Sequence, residues 1–261
     1  MRRRCVGGYI VQNKVIITDE ERRRYGRQLL LPEVREEGQL KLKQARVLVV
    51  GAGGLGAASL SYLAASGVGK IGVMDNDYVE LSNLNRQIIH ETGDIGRLKV
   101  QSAENRINEI NPRIQVQIYP QKLTAENANT ISNYDLVVDG CDNFATRYVI
   151  NAACLRAKVP WIYGAVQGFK GQIATFQAQP QSPCYRCFVP NEPHTRNDCA
   201  YRGVMGAAVG VIGAMQAMEA IKMLLDIKPL HTKIMRYDGL QSEWKSSILR
   251  KDLHCVDCCK T

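Results

Sequence analysis

Short apolar runs alternate along this chain with longer stretches of helical periodicity. Arg46–Val50 and Lys70–Met74 have the length and composition of buried strands, and Leu55–Ser66 between them reads as a helix of small residues. The rhythm continues with Arg97–Ile110 as a helix ending at Asn111-Pro112, Ile114–Tyr119 and Tyr134–Asp139 as strands, Phe144–Lys158 as a helix and Pro160–Tyr163 as a fifth strand. Strands and helices alternating at this spacing predict a parallel, doubly wound α/β sheet. Upstream, Thr18-Asp-Glu-Glu21 is a capping box opening a helix that carries Arg24, Tyr25 and Arg27 and runs out near Pro32. Residues 1–17 read as an N-terminal extension. Beyond Gly164 the rhythm changes. Gln172–Phe176 alternates like a strand, Gln177–Ala200 carries four prolines and reads as irregular, Gly203–Leu225 is a glycine- and methionine-rich helix, and Lys233–Tyr237 and Glu243–Ile248 are late strands. The pattern predicts one α/β domain over residues 18–261, with an N-terminal helical arm and a C-terminal elaboration.

Composition adds exclusions. With 261 residues, 45% of them hydrophobic and 23% charged, the chain can bury a full core. The longest apolar run, Gly203–Met215, soon meets Gln216, Glu219 and Lys222, so a membrane span is not expected. No apolar stretch of signal-peptide type precedes Lys14, and a cytoplasmic setting with reduced thiols is the expectation. A net charge of +9 suits an acidic protein or a polyphosphate as well as a nucleic acid. The basic residues cluster only at Arg2–Arg4 and Arg22–Arg24 and do not interleave with aromatics, so nucleic acid is not expected as a partner.

Candidate chemistry begins with Gly51-Ala-Gly53-Gly54-Leu-Gly56, placed between a strand and a helix. Such a turn brings backbone N–H groups to phosphates at a helix N-terminus, as in Rossmann-like folds. Asp75, at the end of the next strand, stands where an acid meets a ribose hydroxyl, with Asp77 close behind. Alone, this predicts a dinucleotide enzyme. The following loop, Leu81-Ser82-Asn83-Leu-Asn-Arg86-Gln87, with Lys99 beyond it, places amides and cations near the nucleotide, which suits phosphoryl or nucleotidyl transfer. Asp142, in Asp139-Gly-Cys-Asp142-Asn143, is either a magnesium carboxylate or a helix cap. Cys184-Tyr-Arg-Cys187 and Cys255-Val-Asp-Cys258 supply four thiolates for a closed structural zinc site, with Cys259 adjoining as a rival fourth ligand.

These motifs occur in a telling order: Arg24-Tyr-Gly-Arg27-Gln28, the glycine turn, Asp75-Asn-Asp77, Ser82 to Gln87, Lys99, Cys141-Asp142-Asn143 and both cysteine pairs. Together the sequence resembles the ThiF/MoeB/HesA family, bacterial relatives of ubiquitin-activating enzymes, over residues 18–260. The resemblance implies a Rossmann-like sheet and an enzyme that uses ATP to adenylate the C-terminal glycine of a ubiquitin-like sulfur carrier, readying it for thiocarboxylate formation. It implies an ATP site from Gly51, Gly53, Gly54, Gly56, Asp75, Ser82, Asn83, Arg86, Lys99, Asp142 and Asn143, with magnesium at Asp142. It also implies a symmetric homodimer in which Arg27 reaches the other subunit's nucleotide, and zinc on Cys184, Cys187, Cys255 and Cys258.

Cys199, four residues before Gly203, matches a cysteine that serves sulfur transfer in thiamine-pathway relatives, and Arg196 and Arg202 beside it would favour a thiolate. The stretches Val166–Gln172 and Tyr237–Trp244 look more like thiamine-pathway members than the molybdopterin-pathway enzyme. No rhodanese-like sequence is present, so a persulfide donor is expected as a separate protein. Two rivals from other classes are an NAD-dependent oxidoreductase and a scaffold that binds a ubiquitin-like protein without chemistry. The first lacks a His or Tyr placed for hydride chemistry, and the second has no use for Arg86, Lys99 and Asp142.

Overall fold

A computed structural model describes residues 16–192, 203–230 and 232–259. Eight strands form one sheet: β1 (Arg46–Val50), β2 (Lys70–Met74), β3 (Gln115–Tyr119), β4 (Leu136–Asp139), β5 (Trp161–Gln167), β6 (Lys170–Phe176), β7 (Lys233–Asp238) and β8 (Glu243–Ile248), in the order β3-β2-β1-β4-β5-β6-β7-β8. The first five are parallel, as the alternation predicts. The other three pair antiparallel, so the sheet is mixed. Sequence alone ended β5 at Tyr163, short of the change of rhythm beyond Gly164. The strand instead continues to Gln167 and returns through a two-residue turn at Gly168 and Phe169. Packing requires glycine at 164: a Cβ there would lie 2.6 Å from the Gln216 amide.

The helices are α1 (Asp19–Arg24), α2 (Gly26–Leu29), α3 (Arg35–Gln44), α4 (Gly54–Ser66), α5 (Lys99–Ile110), α6 (Phe144–Ala157), α7 (Tyr185–Phe188) and α8 (Gly206–Leu224). The predicted capping box is present, with Thr18 and Glu21 bonded reciprocally. The helix it opens breaks at Tyr25, which is buried and accepts a hydrogen bond from Asn111. Alternate residues of β1 feed two cores. Val47 and Val49 join Leu60, Leu63, Ile107 and Ala217 on the face covered by α4, α5 and α8, whereas Leu48 and Val50 join Ile150, Trp161, Phe176 and Tyr185 on the face covered by α6 and α7. Helix α8 is, against expectation, long and apolar enough to cross a membrane. It serves here as a core helix: Gln216 and Glu219 are fully buried on it, and a Cβ at Gly213 would strike α4 at Leu55 and Ala58.

Candidate active site

Strand order reverses at β1, whose neighbours β2 and β4 lead in opposite directions through the sheet. Such a switch point opens a crevice at the strands' carboxyl ends. Three loops meet there. The glycine turn leaves β1 through Gly51, whose φ of +97° a side chain would strain, and a Cβ at Gly51 would lie 2.7 Å from the Gly140 backbone. The turn opens α4 with Gly53 as an N-cap that no side chain satisfies. The first N–H groups of the helix therefore remain available to an anion.

Asp75 organises this turn as well as facing the crevice. Its carboxylate accepts hydrogen bonds from the Ala52 N–H (2.7 Å) and the Asp77 N–H (2.8 Å). Asp77 is the partner of Lys99: the buried Nζ lies 2.9 Å from its carboxylate. Arg86 donates to the Ser82 carbonyl (2.8 Å) and to Asn85 (3.0 Å), while the Asn83 side chain accepts from the Glu80 N–H (3.1 Å). Positions 54 and 206 pack under the backbone of Asn85 and Arg86, so this loop lies against the opening of α4.

The acidic loop follows β4. Asn143, predicted as a nucleotide ligand, is the N-cap of α6 and accepts from the Thr146 N–H at 2.9 Å. Asp142 is therefore not the cap and stands exposed at the mouth. Beneath it, fully buried Asp139 pairs with Arg147 (3.0 Å) and accepts from the Cys141 N–H (3.0 Å) and thiol (2.7 Å). Arg147 also donates to the carbonyls of Cys141 and Gly164. Burial raises the Asp139 carboxyl, with Arg147 and Cys141 opposing the shift. Burial, then Asp139, also raises the Cys141 thiol well above its ordinary value, so Cys141 is a hydrogen-bond donor rather than a nucleophile.

Sequence reasoning missed the roles of Asp139 and Arg147, and also His90. This buried imidazole lies 3.0 Å from the Ala52 carbonyl through Nε2 and 2.7 Å from Ser102 Oγ through Nδ1, and Ser102 bonds in turn to Asp94 at 2.7 Å. Its one sequence signal is a polar residue ending the apolar pair Ile88-Ile89. Arg27 lies elsewhere. It is exposed on α2, whose Gln28 bonds to the Ser66 carbonyl at the last turn of α4, the end opposite the glycine turn. Cys199 lies outside the described residues.

The four predicted cysteine ligands converge. Their sulfurs all lie within 4.8 Å of one another, with separations of 3.9 Å (Cys184–Cys187), 3.6 Å (Cys184–Cys255) and 3.6 Å (Cys187–Cys258). Zinc bonded to four sulfurs at ~2.3 Å requires tetrahedral edges of about 3.8 Å, so the donor set fits that metal. Cys259 turns away to the Asp252 carbonyl and is not the fourth member. Asn151 ties the two knuckles together, accepting from the Tyr185 N–H and donating to Asp257, both at 2.9 Å.

Comparison with known proteins gives a consistent picture. A sulfur carrier protein adenylyltransferase of Thermus thermophilus is 45% identical over 92% of both chains. The sulfur carrier protein ThiS adenylyltransferase of Escherichia coli is 40% identical over 93% of this chain and 97% of its own. The adenylyltransferase and sulfurtransferase MOCS3 of Culex quinquefasciatus is 46% identical, and the chain spans about half of it (56%). The crystal structure of E. coli MccB with MccA-N7isoASN shares the fold, with a TM-score of 0.80 over 91% of this chain and 74% of that one at 22% identity. The ThiF family profile matches residues 25–257. By this match and these identities, the chain is a member of the ThiF family.

Proposed function

We propose that the chain adenylates the C-terminal carboxylate of a ubiquitin-like sulfur carrier at the expense of ATP. The observation that carries this reading is the meeting, at one switch point, of an uncapped helix N-terminus, the Arg86 loop, Lys99 and the exposed carboxylate of Asp142. Phosphates fit the turn, and the ribose hydroxyls fit the remaining lone pairs of Asp75. A carboxylate oxygen of the carrier attacks the α-phosphorus of ATP, the bond to the β-phosphate oxygen breaks, and pyrophosphate leaves with the electron pair. No enzyme nucleophile is needed. The protein contributes alignment and cationic charge, from Arg86 and Lys99, where negative charge builds. Asp142 would hold magnesium, which supplies further charge neutralisation at the phosphates. Arg27, at the far end of α4, serves the site of a second copy in a homodimer, and the four-cysteine cluster holds zinc for structure.

Among carriers, the thiamine-pathway protein is favoured. The two stretches that resemble thiamine-pathway members are joined in space, because β6 pairs with β7 and the Gly239 N–H bonds to Phe169. A separate persulfide donor then completes the thiocarboxylate. The test is ATP–pyrophosphate exchange with purified carriers of the thiamine and molybdopterin pathways in parallel. Exchange should depend on a carrier, favour the thiamine one, and vanish in Asp142→Ala with fold and metal content unchanged. Exchange that survives this substitution would take Asp142 out of the site.

A further inference from the structure

Ala52 lies at the centre of the glycine turn, and both polar groups of its backbone are occupied. Its N–H donates to Asp75 and its carbonyl faces His90 Nε2 at 3.0 Å. We infer that His90 is a positioning residue for the nucleotide, its Nε2–H holding the Ala52 carbonyl so that the N–H groups that follow, at the start of α4, stay aimed into the crevice. The inference rests on reading this turn as the ATP site.

Proton counting assigns the tautomer. Three links run from the Ala52 carbonyl through His90 and Ser102 to Asp94, and each needs one hydrogen. A neutral imidazole and one hydroxyl supply two. A carbonyl only accepts, so the link to Ala52 requires the hydrogen on Nε2. The one hydroxyl hydrogen of Ser102 is then shared between Asp94 and Nδ1, each 2.7 Å from its oxygen, while Asp94 also accepts from the Glu91 N–H (3.0 Å) and Arg97 (3.3 Å). The groups around His90 are Asp94 from the short turn that follows it, Lys99 and Ser102 from α5, and Asp75 just beyond the end of β2. Desolvation, reinforced by Lys99, outweighs the Ala52 carbonyl and the two carboxylates, which favour the charged ring, and lowers its pKa.

Two measurements on the full chain test this. Long-range proton–nitrogen NMR should show Nε2 of His90 protonated at pH 7.5, and an Nδ1–H tautomer with Nε2 bare would overturn the inference. ATP binding and exchange kinetics should then separate the substitutions by donor position. His90→Gln retains an N–H donor near Nε2 and should keep the KM for ATP within about threefold. His90→Asn, with its amide near Nδ1, and His90→Leu should raise it about tenfold, leaving the KM for the carrier unchanged. Equal ATP affinity in wild type and a folded His90→Leu would overturn the inference, as would loss of affinity in all three variants alike. ATP binding that tracks the donor position, without exchange on either carrier, supports the role of His90 and overturns the proposed reaction instead.

Discussion

Arg147 is buried beneath the crevice and holds the acidic loop that presents Asp142. Its guanidinium joins a buried carboxylate to two carbonyls and lies 5.1 Å from the Tyr163 ring centre. Removing it leaves Asp139 as an uncompensated buried charge, which costs about 3–5 kcal/mol. Arg147→Met should lower the urea midpoint accordingly. His90 gives a second, pH-dependent expectation. Burial lowers its pKa below 6.5, so the unfolded chain binds the proton more readily. The stability this neutral ring contributes is complete above the unfolded pKa and is lost as pH falls through the folded value. The advantage of wild type over His90→Gln in unfolding free energy should therefore shrink as pH falls below about 6.5, the ordinary imidazole value. Asp75, Lys99 and Asp142 were legible in the sequence because each stands at a predictable end of a strand or helix. Arg147 and His90 were not, because their partners, Asp139 and Gly164 for one, Ala52 and Ser102 for the other, are brought to them only by the fold.

Among the elements, the cysteine knuckles were the most readable, since two C-x-x-C pairs mean little apart and one metal site together. What spacing left open, the choice between Cys258 and Cys259, is decided by the path of the last turn, which sends one sulfur into the cluster and the other to Asp252. Cys258→Ser should lose bound zinc and several degrees of thermal midpoint, whereas Cys259→Ser should keep one zinc per chain by colorimetric release assay. The arm and the late hairpin were less readable. Local pattern carried a helix through Tyr25, but its ring packs against Gly67, where a Cβ would lie 2.6 Å away, and the chain bends to bury it. The predicted fifth strand stopped short at Tyr163, and the pattern could not show Gln216 arriving from α8 against Gly164.

For the molecule as a whole, alternation of strand and helix was enough to predict the parallel half of the sheet. It could not give the antiparallel edge, whose pairing follows from a hairpin turn and a long connection. Nor does one chain bring every expected cation together. Helix α4 has 13 residues and is therefore about 20 Å long, so Arg27 and the glycine turn stand at opposite ends of it. If Arg27 acts on a second copy, Arg27→Ala and Arg86→Ala should each be nearly inactive in exchange. Mixing them with subunit exchange should restore one working site per pair, and no recovery would leave Arg27 without a role across an interface.

The backbone contact between Gly51 and Gly140 lies where the two windings of the sheet part, and it sets the gauge of the crevice by main-chain thickness alone. Side chains in the two cores can repack without changing that spacing. A methyl group at either glycine would wedge the nucleotide turn and the acidic loop apart.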